Sequence, residues 1–280
     1  MSPYTLIIAA IPALLGSFLL LNFVAVPPSL LVQQAVVALL AVVAATFALR
    51  HSQKSLALKV RPWLLMGMAV LLCAPILSTS SAPHRWLGFF GFRLYIAPVV
   101  LPIFLLIWYR AFSGDKTTAS LSIIAALVTG MGLFAQPDAA QLTAFAIASV
   151  PLIWISDKSL LMRLLPVAAL LGAAAASWNI PDPLTPVPYV EGVFILAARL
   201  SIWALLSAVI AVALPVLSLA WFAYRMRSLG VFSVSLYFTA LFLLAPAQVT
   251  PVPLLGFGAG PILGYFLMVS QVRRLRSNAP

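Results

Sequence analysis

The stretch WNIPDPLTPVPYVEGVFILAAR, from Trp178 to Arg199, decides how this chain is read. Pro181, Pro183, Pro186 and Pro188 remove backbone donors and hold their predecessors extended, so residues 178–191 form an irregular loop. The loop carries Asp182 and Glu191, two of the five acids in 280 residues. A long apolar run follows at once, with Arg199 about two turns in, where a cation is costly unless it faces protein or water. A polar-capable connection between long apolar runs marks a helix mouth at a membrane surface, and this loop is the expected working end.

Composition outside the loop agrees. The chain is 64% hydrophobic and 8% charged, whereas water-soluble globules carry about 25% charged residues. It is expected to be one integral membrane domain over 1–280: all-α, a polytopic bundle of about ten spans. The net charge of +11 does not indicate nucleic acid, because the basic residues fall between apolar runs, as the positive-inside rule produces. The single Cys73 excludes a disulfide framework. His51 and His84 fall on opposite sides of the expected frame, so no histidine metal site and no cofactor are implied. The first apolar run lacks a preceding cationic region and a clear cleavage site, and is expected to be retained as a span.

Spans need about 20 apolar residues, fewer where flanks snorkel. Two, at 5–26 and 29–49, join through Pro27 and Pro28. A basic loop over 50–61 follows, with Arg50, Lys54, Lys59 and Arg61. Further spans are expected at 63–77, 94–109, 119–135, 139–155 and 164–177. The run 192–223 is too long to stand perpendicular and is expected to tilt or kink near Pro215. The last two lie at 230–244 and 255–269. RWLGFFGFR, 85–93, is expected to be an interfacial or re-entrant piece. The small-residue run LLGAAAASW, 170–178, is expected to favour close helix packing.

Placing both termini in the cytoplasm puts 13 of the 16 Lys and Arg on that side. Arg85, Arg93 and Arg199 are left in the outer half with Asp138, Asp182 and Glu191. Two readings stand for these six. Arginines can hold a phosphate-bearing lipid head group while a carboxylate acts on a sugar hydroxyl as general base. Alternatively the groups pair and lock helix ends: Arg85 and Arg93 snorkel at the interface, and Asp138 after Pro137 caps a helix. For Arg199 the expected partner is Asp138.

Several segments resemble the SEDS proteins (shape, elongation, division and sporulation; FtsW and RodA type). RWLGFFGFRLYIAP, Arg85 to Pro98, is similar to that family's RW-x-x-LG segment, and AQPDAA, Ala135 to Ala140, to its QPDLGT. PDPL, Pro181 to Leu184, resembles the outer loop that carries the family's catalytic aspartate. AARLSIWALL at 197–206 and PAQVTPVPLLGFGAGPILGY at 246–265 resemble two later segments. The resemblance implies a glycosyltransferase of cell-wall assembly that uses a polyprenyl-pyrophosphate-linked sugar outside a bacterial inner membrane, beside a membrane protein partner. Asp182 is then the catalytic carboxylate, and Arg85, Arg93, Asp138, Glu191 and Arg199 bind substrate. The chain departs from the pattern where the family has an outer glutamate and lysine, here Pro98 and Leu101, and a Glu-Glu pair, here Ala198 and Arg199; its outer loop is also shorter. The rival classes are a non-catalytic scaffold or subunit and a carrier for a small or lipidic solute.

Overall fold

The computed structural model describes residues 2–51, 62–77, 84–89, 92–111, 116–156 and 158–272. Lys54, Lys59, Arg61, Asp115, Asp157 and the tail arginines Arg273, Arg274 and Arg276 lie outside the described residues, as does most of the basic loop over 50–61. Eleven α-helices and one β-hairpin are described: α1 Tyr4–Phe23, α2 Pro28–His51, α3 Pro62–Cys73, β1 Trp86–Phe89, β2 Phe92–Tyr95, α4 Ala97–Ala111, α5 Lys116–Ala135, α6 Ala139–Trp154, α7 Leu160–Ser177, α8 Val193–Leu200, α9 Ile202–Met226, α10 Leu229–Leu244 and α11 Ala259–Val272. Six of the apolar helices are long enough to cross a membrane, and four more, counting α3 with the 3-10 turn after it, are shorter. The expected polytopic helical bundle is therefore observed.

Burial differs sharply between helices. The short helices α4 and α11 bury ten of 15 and ten of 14 residues, while α2 buries four of 24. A helix enclosed by others need not match the bilayer thickness itself, and a helix facing lipid must. Accordingly α6 packs on α10 and α7, and α11 on α4 and α2, while Leu39, Phe47, Leu165 and Leu217 of the longer helices point outward.

The tightest crossing is α11 on α4. A Cβ on Gly264 would meet the Pro98 carbonyl oxygen at 1.8 Å, and one on Gly260 the Tyr95 carbonyl at 2.6 Å. Glycines four apart lie on one helix face and let two backbones touch, the small-residue mode of membrane helix packing. The run 170–178 packs on its neighbours through one stripe only. Leu170, Ala174 and Ser177 are buried and Ala173 is half-buried against the core, while Gly172 faces open space and Leu171, Ala175, Ala176 and Trp178 are exposed.

One local expectation is corrected, and the segment expected to be interfacial or re-entrant takes a definite form. The run 192–223 is interrupted at Ser201, not at Pro215, which sits inside the continuous α9. Ser201 is extended (φ −172°, ψ 162°), and its hydroxyl accepts from Ala204 N at 3.0 Å. The chain therefore ends one helix and caps the next within one residue, the preferred role of serine at such a junction. RWLGFFGFR is an antiparallel hairpin in the register Trp86↔Tyr95, Leu87↔Leu94, Gly88↔Arg93 and Phe89↔Phe92. Trp86 opposite Tyr95 and Leu87 opposite Leu94 favour this pairing.

Candidate functional site

The hairpin, the 178–191 loop and the turn before α11 meet at one end of the bundle. Strict alternation of spans requires this, because each of these connections follows a helix running in the same direction. Two backbone bonds join the loop to the turn, from Val252 N to Val190 O (3.2 Å) and from Phe257 N to Tyr189 O (2.9 Å). Gly256 is needed at this seam, because a Cβ there would lie 2.4 Å from Val190 O. From α2, the buried Gln34 amide reaches Ser17 Oγ at 3.0 Å and Gly256 O at 3.4 Å, and its carbonyl oxygen accepts from Gly258 N at 3.2 Å. Gln34 supports the site and was missed in the sequence. The signal was present: Gln33 and Gln34 are the only strongly polar side chains within the apolar body of α2.

Together these elements enclose a cavity of about 280 Å³ lined by, among others, Arg85, Arg93, Tyr95, Asp182, Glu191 and Gln33. Arg85 is at its centre. Its Nη1 donates to Asp182 Oδ2 at 2.9 Å, an ion pair in which the arginine is buried and the aspartate about one-third exposed. Its Nε donates to Gln136 O at 3.0 Å and its Nη2 to Pro137 O. One guanidinium thus ties the hairpin, the QPD turn and the outer loop together, the rigid fork that distinguishes Arg from Lys. Asp182 is further held by accepting from Leu184 N at 3.0 Å. Glu191 Oε2 accepts from Val187 N at 2.8 Å.

Behind Arg85 lies a buried polar row. Tyr95 OH donates to Asp138 Oδ2. Asp138 Oδ1 accepts from Gln141 N at 3.4 Å, the helix cap expected for it. The Gln141 side chain accepts from Tyr237 OH and donates to Thr250 Oγ1 at 3.4 Å. Burial pushes the Asp138 carboxyl above the usual carboxylate range, with Arg85 and Tyr95 opposing. Burial likewise raises Glu191, with its backbone bonds opposing, and raises the Tyr95 phenol.

Of the six expected site residues, Arg85, Arg93, Asp182 and Glu191 line the cavity and Asp138 stands directly behind it. Arg199 does not join them. It is exposed on the last turn of α8 and, among the described residues, has no ion pair with Asp138 or any other acid. The break at Ser201 explains this: Arg199 stands in the last turn of a short helix and is not buried midway along a continuous one. The departures at Pro98 and Leu101 also become intelligible. Both are buried in α4, with the Pro98 carbonyl against Gly264, so positions that carry ionisable groups in the resembling family are packed as core here.

Compared by sequence, the chain matches no protein-family model and no curated protein. Compared by structure, it is similar to the Rod shape determining protein RodA of Thermus thermophilus, solved in a mutant form, with a TM-score of 0.68 at 17% identity over 98% of this chain and 96% of that one. It is also similar to a chain of a peptidoglycan synthase complex described for its coordination of polymerization and crosslinking, with a TM-score of 0.63 at 18% identity over 99% and 98% of the two chains. The fold is therefore a RodA-like polytopic helical fold, present over essentially the whole chain.

Proposed function

We propose that this protein acts in cell-wall or envelope assembly in a bacterial cytoplasmic membrane, with both termini inside, and that its outer cavity handles a polyprenyl-pyrophosphate-linked sugar. The observation that carries this reading is the Arg85–Asp182 pair on the cavity wall, with Arg93 on the same lining. The RodA-like fold supports it. All three nitrogens of Arg85 are engaged by Asp182 and two carbonyls, so Arg85 positions the carboxylate. Arg93 is exposed on the cavity lining and is the cation available to a pyrophosphate, a charge-assisted contact. Asp182 is the group placed to accept a proton from an attacking sugar hydroxyl. Glu191 and the hairpin confine the acceptor.

A second reading has its own support. The cavity falls just below the range of about 300–1,000 Å³ typical of small-molecule sites, and a polymerase must hold two lipid-linked sugars at once. A non-catalytic relative that binds another membrane protein through its exposed helices needs no larger space.

Two measurements separate the readings. In a deletion strain with a phenotype, Asp182→Asn removes the base while keeping the size, and is expected to abolish complementation with the protein still accumulating. In mild detergent, Arg93→Gln is expected to weaken binding of a polyprenyl pyrophosphate about tenfold. Full complementation by Asp182→Asn, with no polyprenyl pyrophosphate bound by the parent protein, sinks the transferase and leaves the scaffold.

A further inference from the structure

At the opposite end of α9 from this site, about 37 Å away for 25 residues at 1.5 Å each, the reversal into α10 encloses a second cavity of about 660 Å³, lined by Ala220, Tyr224, Arg225, Arg227, Ser228 and Phe232 among others. Its walls are of two kinds. Ala220, Leu229 and Phe232 are apolar and belong to the spanning parts of α9 and α10, whereas Arg225 and Arg227 are exposed cations at the helix end. No acid lines it, and among the described residues neither arginine has an ion pair. The Arg225 side chain and the Arg227 backbone are nonetheless held. The Arg225 guanidinium lies over the Trp221 ring, 4.9 Å from its centroid, and Arg227 is the left-handed cap residue (φ 47°) whose N–H donates to Tyr224 O at 3.2 Å.

From this arrangement we infer that the α9–α10 elbow is a binding site for one anionic phospholipid of the adjacent leaflet. The phosphate sits between Arg225 and Arg227, and an acyl chain lies along Ala220 and Phe232. The depth is right: Trp221 and Tyr224 are the amphipathic rings that settle at head-group level, and Arg225 and Arg227 stand at the end of a 25-residue spanning helix. A bias in charge that only set topology would need the arginines but not a cavity whose apolar wall continues into the bilayer. Guanidinium forks suit phosphate oxygens, and about 1 kcal/mol per basic residue near an anionic leaflet corresponds to about fivefold each, or about 25-fold for the two.

The test uses the full chain in mild detergent, titrated with phosphatidylglycerol or with phosphatidylcholine of the same acyl chains and read by native mass spectrometry. The parent is expected to hold phosphatidylglycerol about 25-fold more tightly. Arg225→Gln with Arg227→Gln is expected to erase the preference, and each single substitution to reduce it about fivefold. The singles decide the matter should the double variant fail to elute as a folded species. Equal retention of the two lipids by the parent overturns the site, as does a preference that survives both substitutions. Displacement of phosphatidylglycerol by glycerol phosphate at equal concentration assigns the cavity to a soluble phosphate and overturns the lipid.

Discussion

Arg85 shows how one side chain can organise three separate segments. It is buried, and its partners are a carboxylate and two backbone carbonyls. Removing the arginine leaves the Gln136 and Pro137 carbonyls without this donor, at about 1–3 kcal/mol for a buried group, while the one-third-exposed Asp182 can be solvated. Arg85→Leu is expected to lower the melting temperature in detergent accordingly, and Arg85→Lys to recover little, because an ammonium cannot serve three acceptors along a fork. A lysine variant as stable as the parent would show that charge alone suffices. Glu191 offers a second test. Burial raises its carboxyl above the ordinary 4.5, so the folded chain binds more protons than the unfolded one between 4.5 and the raised value, and stability falls as pH rises through that window. Asp138 acts in the same direction. Melting temperatures from about pH 4 to about pH 8 should decline more gently in Glu191→Gln than in the parent; identical slopes would remove Glu191 from the account.

Among the elements, the α4–α11 crossing has the least room for change. The 1.8 Å separation between a Cβ at 264 and the Pro98 carbonyl involves backbone on one side and a helix axis on the other, so no side-chain rotation relieves it. Gly264→Val forces the helices apart and is expected to prevent accumulation of folded protein, measured as loss of the monodisperse peak in detergent. The same substitution at Gly172, where a Cβ meets nothing within 4 Å, should be tolerated. Equal tolerance at both positions would show that α4 and α11 are not in backbone contact. The Pro98 carbonyl is also one turn from Tyr95, so this crossing fixes the hairpin and, through it, the Asp138 and Arg85 contacts.

For the whole molecule, the open question is which way the bundle faces the two aqueous phases. The split of 13 against 3 basic residues is the ground for the expectation that the site faces outside. In a Cys73→Ala background, Thr185→Cys on the exposed outer loop should react with an impermeant reagent in intact cells, and Thr117→Cys at the start of α5 should not. Labelling of position 117 in sealed cells would invert the frame and move the Arg85–Asp182 cavity to the cytoplasm.

The sequence by itself determined the class. Long apolar runs separated by basic loops admit only a helical membrane bundle, because backbone in lipid must satisfy itself within each segment. The prolines of 178–191 likewise marked the loop that carries Asp182 and Glu191, and QPD marked the cap at Asp138. Tertiary structure decided the partners. Arg85 and Asp182 are 97 positions apart, and only the packing of α3 to α7 brings them to 2.9 Å. Arg199 looked like the costly buried cation because continuous hydropathy hid the single extended residue Ser201 that ends α8. Hydropathy reports whether a segment tolerates lipid, a property of composition. Which polar groups meet at the helix mouths depends on crossing geometry, set here by glycines whose importance shows only when the backbone they touch is in place.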